Sequence, residues 1–274
     1  MQRSALSQKP SKEKGNHVIP KNITVERSGG IAQVRFDRSD NLNAMSLDIM
    51  RELTEVALSF QDDLETIAVV LTGGPKSFSA GIDLRDAKLQ ASLVDTIERR
   101  RQTLMIGPKL CRAWESMEQI TICAIEGHCV GGALALAISC DFRILGRSAR
   151  LKVPELKLGL NMSWQSIPRI VHLVGPAKTK QIILFAEEMT AEQAFDWGLA
   201  QEITEDGATL TAAIAMAEKV AAMPPTPVKM TKQAVNAVSN ALDHAVSYMD
   251  LDQSILCQMT EDFKESMEAL KGKK

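Results

Sequence analysis

The stretch ITICAIEGHCVGGALALAISCDFRILG, residues 120–146, decides the fold. Its first part, ITICAIEG, is a short apolar run rich in β-branched residues and ending in glycine, the signature of a strand buried on both faces. A glycine pair, Gly131-Gly132, opens the uncharged run GGALALAISC (131–140), which reads as a helix, and DFRILG reads as the next strand. An uncharged helix between two buried strands belongs inside an α/β layer.

The same grammar runs outward in both directions. Upstream, TIAVVLTGG (66–74) is another buried strand, followed by the glycine-bearing turn FSAGIDL (78–84). Before it, ITVERSGGIAQVRFD (23–37) alternates apolar and polar residues about Gly29-Gly30, a hairpin signal, and Ser46 caps the amphipathic run LDIMRELTEVALSF (47–60). The charged stretch 94–117 predicts a long helix interrupted near Pro108. From about residue 168 the pattern turns helical, and TAEQAFDWG (190–198) carries a capping-box start and a glycine stop. Three parts are expected: a disordered polar arm over 1–21, an α/β core over 22–210, and a helical region over 211–274.

Composition excludes several function classes. With 274 residues, 45% hydrophobic and 24% charged, the chain can bury a full core. A net charge of −2 offers phosphate backbones no general attraction, so nucleic acid is not an expected partner. No window of roughly eighteen apolar residues predicts a membrane span. The five cysteines, 111, 123, 129, 140 and 257, show no CxxC spacing, which points to a reducing compartment and no metal site. A cytoplasmic location is expected, with the lysine-rich start also compatible with mitochondrial targeting.

Two glycine turns directly after buried strands suggest a shared task. Glycine lets backbone approach a ligand, and two free amides converging on one point make an oxyanion hole. Glu155 follows in VPELKLGL (153–160), among Val153, Leu156, Leu158 and Leu160, neighbours that would raise a carboxyl pKa. Ser79, Ser163 and His128 read as small polar fillers and a strand-end histidine, since no GxSxG elbow accompanies them.

Taken together, DRSDNLNAM (37–45), FSAGIDL, the 124–144 segment, VPELKLGL, PRIVHLVG (168–175) and MTAEQAFDWGLAQEI (189–203) resemble the crotonase (enoyl-CoA hydratase/isomerase) superfamily in order and spacing over roughly residues 22–270. The resemblance implies a ββα spiral core with a C-terminal helical trimerisation part, and a homotrimer or hexamer. It implies an acyl-CoA substrate, with coenzyme A entering as part of that substrate and no separate cofactor. A thioester enolate would be held between the amides of Ile82 and Gly132, with Glu155 as acid/base. Ala80, Gly81 and Gly131 would shape those turns. Asn41 and Leu42 would lie along the CoA, with Asp40 where a lysine is common, and Asp83, Ala135, Met162 and Trp164 would border the substrate. Lys229 and Lys232 would face the CoA phosphates. Relatives that hydrate enoyl-CoA carry a second glutamate where this chain has Ala135, and dienoyl-CoA isomerases carry an aspartate where it has Ser163. A single Glu155 therefore implies a double-bond shift, with hydration, another crotonase-type reaction or non-catalytic CoA-thioester binding as alternatives.

Overall fold

The computed structural model describes residues 22–272, so the expected arm over 1–21 lies outside the described residues. Nine strands among the described residues form two sheets. β1 (Ile23–Ser28) and β2 (Ile31–Phe36) pair as the predicted hairpin, turning at Gly29 and Gly30 with φ of +57° and +80°. β3 (Ala68–Thr72), β4 (Ile120–Ile125), β6 (Phe142–Gly146) and β9 (Glu202–Thr204) extend the sheet in the order β1-β2-β3-β4-β6-β9, parallel from β2 onward. The second sheet is β5 (His128–Val130), β7 (Arg150–Lys152) and β8 (Met189–Thr190).

The chain alternates between these layers. β4 enters the large sheet and β5 the small one; β6 and β7 repeat the step. Isolated bridges place Ser79 beside Cys129, and Ile82 beside Met45, continuing the small layer back toward the first turn of the spiral. The expected α/β architecture of repeated ββα turns is what these two layers form.

Packing explains why the central strands are apolar without alternation. Val69 and Leu71 of β3 join the large core on one face, while Ala68 and Val70 join Ile122, Ala124 and Ile144 on the other. Ala213 and Ala217 of the helix Thr209–Ala221 cover that second face. The expected division at residue 210 therefore falls inside a helix that belongs to the core packing. Small side chains there let the helix approach the sheet closely.

Two local expectations are corrected, and one helix carries a kink. The long helix breaks at Met105, between Ile97–Leu104 and Ile106–Glu115, and Pro108 sits in the first turn of the second piece, where its missing N–H costs nothing. The region after 168 contains β8 and β9 as well as helices. The helix Ser166–Phe185 is kinked at Gly175, with φ +79° and ψ 166°, ahead of Pro176. By contrast, Ser46 Oγ accepts from Ile49 N at the head of Leu47–Ser59, and Thr190 Oγ1 accepts from Gln193 N at the head of Ala191–Asp196, as the capping residues require.

Candidate active site

Both glycine turns are held open from behind. Gly81 adopts φ +91°, its N–H donates to Ser79 Oγ at 3.1 Å, and its carbonyl accepts from Met45 N at 2.7 Å. Asp83 N then donates to Met45 O at 2.8 Å. Those bonds skip Ile82, whose N–H has no acceptor among the described residues. At the other turn Gly131, with φ +54° and ψ −117°, donates to Lys152 O at 2.9 Å and precedes the helix Gly132–Ala137. Gly132 N is the first orphan donor of that helix. A Cβ on Gly81 would stand 2.5 Å from Val130 O and 3.5 Å from Gly132 N, so the two turns lie against each other and neither glycine tolerates a side chain.

Glu155 opens the short 3-10 turn Glu155–Leu158 that follows β7. Its Oε1 stands 2.8 Å from where a Cβ on Gly131 would be, so the carboxylate abuts the glycine pair. Its Oε2 is buried with no hydrogen-bond partner among the described residues. Burial disfavours the ionised form and raises the carboxyl from 4.5 to about 7, a value suited to taking and returning protons near neutrality. Ile82, Gly132, Ala135 and Glu155 border one cavity of about 110 Å³, whose remaining walls are mostly apolar. Glu155 is the only carboxylate among its lining residues.

Known proteins resemble the chain along most of its length. A family model described as enoyl-CoA hydratase/isomerase matches residues 26–274. The chain belongs to that family, the crotonase superfamily. A short-chain-enoyl-CoA hydratase of Clostridium acetobutylicum is 34% identical over 250 residues, covering 90% of this chain and 94% of the relative. A crotonyl-CoA hydratase of Syntrophomonas wolfei subsp. wolfei is 30% identical, covering 92% and 96%. Among solved structures, an enoyl-CoA hydratase/isomerase from Xanthobacter autotrophicus Py2 aligns with a TM-score of 0.85 at 25% identity, over 93% of this chain and 94% of that one.

Within this enoyl-CoA hydratase/isomerase fold, the residues singled out by sequence separate into three groups. Ile82, Gly132, Ala135, Glu155, Met162 and Trp164 line the cavity, and Ala80, Gly81 and Gly131 build the turns beside it. Asn41 and Leu42 form a left-handed turn with φ of +47° and +51°; Leu42 O accepts from Ala80 N at 3.0 Å, and the Leu42 side chain is 57% exposed. That turn braces the Gly81 loop and does not reach the cavity. Asp83 also lies away from it: Arg38 holds its carboxylate at 2.7 Å, and Arg85 N donates to it at 3.0 Å. Asp40 is likewise paired with Arg38, at 2.6 Å.

Lys232 requires a correction. Its ammonium is buried, 2.7 Å from both Asp141 Oδ2 and Gln119 O, and lines a separate cleft. A cation so engaged is a structural tie between the helix Pro225–Ser239 and the start of β4, not a free phosphate ligand. Lys229 is half-buried on the same helix and lines no part of the Glu155 cavity.

Sequence reasoning missed the far walls. Leu251 and Ser254 of the helix Asp250–Cys257, Gln258 at its C-terminal cap, and Phe263 and Met267 of the helix Glu261–Gly272 close the cavity from the C-terminal end of the same chain. Phe263 and Met267, four apart and both buried, were the available signal. Asn161 was also missed. Its Nδ2 donates to Asp250 O at 3.3 Å, while its Oδ1 is buried without a partner among the described residues, beside the same cavity.

Proposed function

We propose that the protein is an enoyl-CoA isomerase working on an acyl-CoA thioester, with Glu155 as its single acid/base. The observation that carries this reading is one carboxylate, its Oε2 buried without a partner among the described residues, in a cavity where Ala135 occupies the second acid's position. The thioester oxygen would sit between the amides of Ile82 and Gly132. Ionised Glu155 removes a proton from the α-carbon of a β,γ-enoyl thioester; the electron pair of that C–H bond moves into a dienolate whose charge rests on the oxygen. Protonated Glu155 then delivers the proton to the γ-carbon, and the double bond closes at α,β. Each amide aimed at the developing charge supplies about 3 kcal/mol, judged from deletions in other oxyanion holes. Only proton transfers are involved, so the reaction calls for no redox cofactor or metal.

A second reading, hydration, is favoured by Asn161. Its unpartnered Oδ1 and Glu155 Oε2 are two buried acceptors on one cavity, and a water held by both would be placed to add across an α,β double bond. The names of the similar hydratases support the same chemistry.

A homotrimer or hexamer is proposed for the assembly, supported by exposed Val238, Leu242, Val246 and Tyr248 along the C-terminal helices. No described helix is long and apolar enough to cross a membrane. Five free thiols are consistent with a reducing compartment such as the cytoplasm.

The deciding experiment incubates one preparation with a β,γ-enoyl-CoA and, separately, with its α,β isomer. Formation of the α,β isomer outpacing hydration is expected. Efficient hydration without isomerisation would transfer the assignment to a hydratase, and thioester binding with neither turnover would make the chain a binding member of the family.

A further inference from the structure

We infer that Trp164 is the wall that limits the acyl group, restricting this chain to short acyl-CoA thioesters; this rests on the enoyl-CoA reading of the Glu155 cavity. The indole fills a slot made by two glycines. A Cβ on Gly107 would collide with the ring, and one on Gly132 would stand 2.6 Å from Cη2, so the ring lies directly against the residue whose amide serves the oxyanion.

The backbone that presents it is strained and locked. Trp164 and Gln165 have φ of +62° and +60°, consecutive left-handed residues neither of which is glycine. Arg169 Nη1 donates to both of their carbonyls at 2.9 Å, and Asp250 Oδ2 accepts from Gln165 N at 2.5 Å. Arg169 is itself buried and paired through two 2.7 Å bonds with Glu115. An arginine clamp on one side and an acid from the C-terminal helices on the other hold the turn, so the ring has little freedom to swing aside for a longer chain.

The space left is small. An apolar cavity of about 150 Å³ takes a benzene molecule; by that comparison the present 110 Å³ admits on the order of four carbons. Phe263 and Met267 close it beyond, also from buried positions. A pocket closed by packed side chains rejects extra methylenes sterically, because overpacking has nowhere to relax.

The test compares full-length wild type, Trp164→Ala and Trp164→Phe on enoyl-CoA substrates of four, eight and twelve carbons. It also measures binding of saturated butanoyl-CoA and dodecanoyl-CoA, which needs no turnover. Wild type is expected to favour four carbons over twelve by about a hundredfold. Trp164→Ala should narrow that ratio by about tenfold or more through gain on the long substrate, with Trp164→Phe between. The phenylalanine variant keeps an aromatic in the glycine slot and serves if the alanine variant does not fold. Wild type binding dodecanoyl-CoA as tightly as butanoyl-CoA would overturn the proposal, as would a length profile unchanged in the folded variants. Length-selective binding without turnover of any substrate would sustain the wall and refute the enoyl-CoA reaction.

Discussion

Two glutamates of this chain, Glu126 and Glu155, each carry a carboxyl turned inward, and their surroundings are opposite. Glu126 closes β4, and its Oε1 accepts from Gly207 N at 2.9 Å, Thr209 N at 3.3 Å and Thr209 Oγ1 at 2.7 Å. Glu155 follows β7, and its Oε2 has no partner among the described residues. Glu126 ties the head of the helix Thr209–Ala221 to the large sheet; Glu155 faces the cavity. Burial alone does not separate them. What separates them is whether the protein supplies side-chain and loop donors: a carboxylate given three is part of the frame, and one whose Oε2 has none is free to exchange a proton.

The comparison breaks most sharply at Glu155. Glu155→Gln should lower deuterium exchange at the substrate α-carbon by about 10²- to 10⁴-fold, the usual span for a lost general base, while thioester binding persists. Exchange at the wild-type rate would remove Glu155 from the chemistry. The next effect concerns the amide it works beside. Gly132→Pro would delete one donor of the proposed oxyanion hole, but its Cβ would meet the Trp164 ring at 2.6 Å. The informative pair is therefore Trp164→Ala against Trp164→Ala with Gly132→Pro. Turnover in the double variant should fall by about a hundredfold or more relative to its parent. An equal rate in both, with the fold intact, would make Gly132 a packing glycine only.

The frame around these residues was legible in the sequence because it depends on near neighbours. Alternation about Gly29-Gly30, the Ser46 and Thr190 caps, and the uninterrupted apolar runs of β3 and β4 are local signals, and each element formed where expected. Pro108 misled because proline breaks a helix interior but sits comfortably in a first turn, and only the true break at Met105 distinguishes the two. The two glycine turns and the apolar neighbours of Glu155 were local signals, but their meeting at one site was readable only by family resemblance. Nothing local in VPELKLGL states that Oε1 will reach Gly131. Lys232 looked like a surface lysine because Asp141, its partner, lies ninety-one positions away in the chain (232 minus 141). The C-terminal walls stayed hidden for the same reason: amphipathic spacing says that Phe263 and Met267 are buried, not against what.

A thermodynamic difference follows from the raised Glu155 carboxyl. Below about pH 4.5 the group is protonated in both folded and unfolded chains, and burial carries no charge penalty. Between 4.5 and about 7 the unfolded chain ionises while the folded one keeps its proton, so stability falls as pH rises and levels off above 7. The full loss is about 3 kcal/mol. Glu155→Gln should escape it: its stability relative to wild type should climb from pH 4.5 to 7, read from urea midpoints at fixed protein concentration. Parallel pH curves for the two proteins would refute the desolvated carboxyl. Glu126→Ala should cost about 1–3 kcal/mol, because Gly207 N, Thr209 N and Thr209 Oγ1 lose their acceptor, and turnover should be unchanged. A turnover loss without a stability loss would mean that the two glutamates are not divided as described.

The smallest effect expected is a gain. Ala135 is 1% exposed, lies one turn into the helix that begins at Gly132, and borders the cavity with Glu155. Ala135→Glu would place a second acid without donors in that cavity, repeating the Glu155 environment and not the Glu126 one. Two such acids on one cavity cannot both ionise readily, so one would hold a proton and the other could activate water. Hydration of crotonyl-CoA, followed by loss of enoyl absorbance, should therefore rise above wild type. The rise is limited to about a few-fold, because a buried carboxyl without partners destabilises the fold and a cavity of 110 Å³ already has to hold the acyl group. Isomerisation should drop in the same variant as the extra acid crowds the α-carbon. A wild type that hydrates efficiently, with no dependence on residue 135 but a strong one on Asn161, would refute the one-carboxylate isomerase and make the unpartnered Asn161 Oδ1 the second half of a water site.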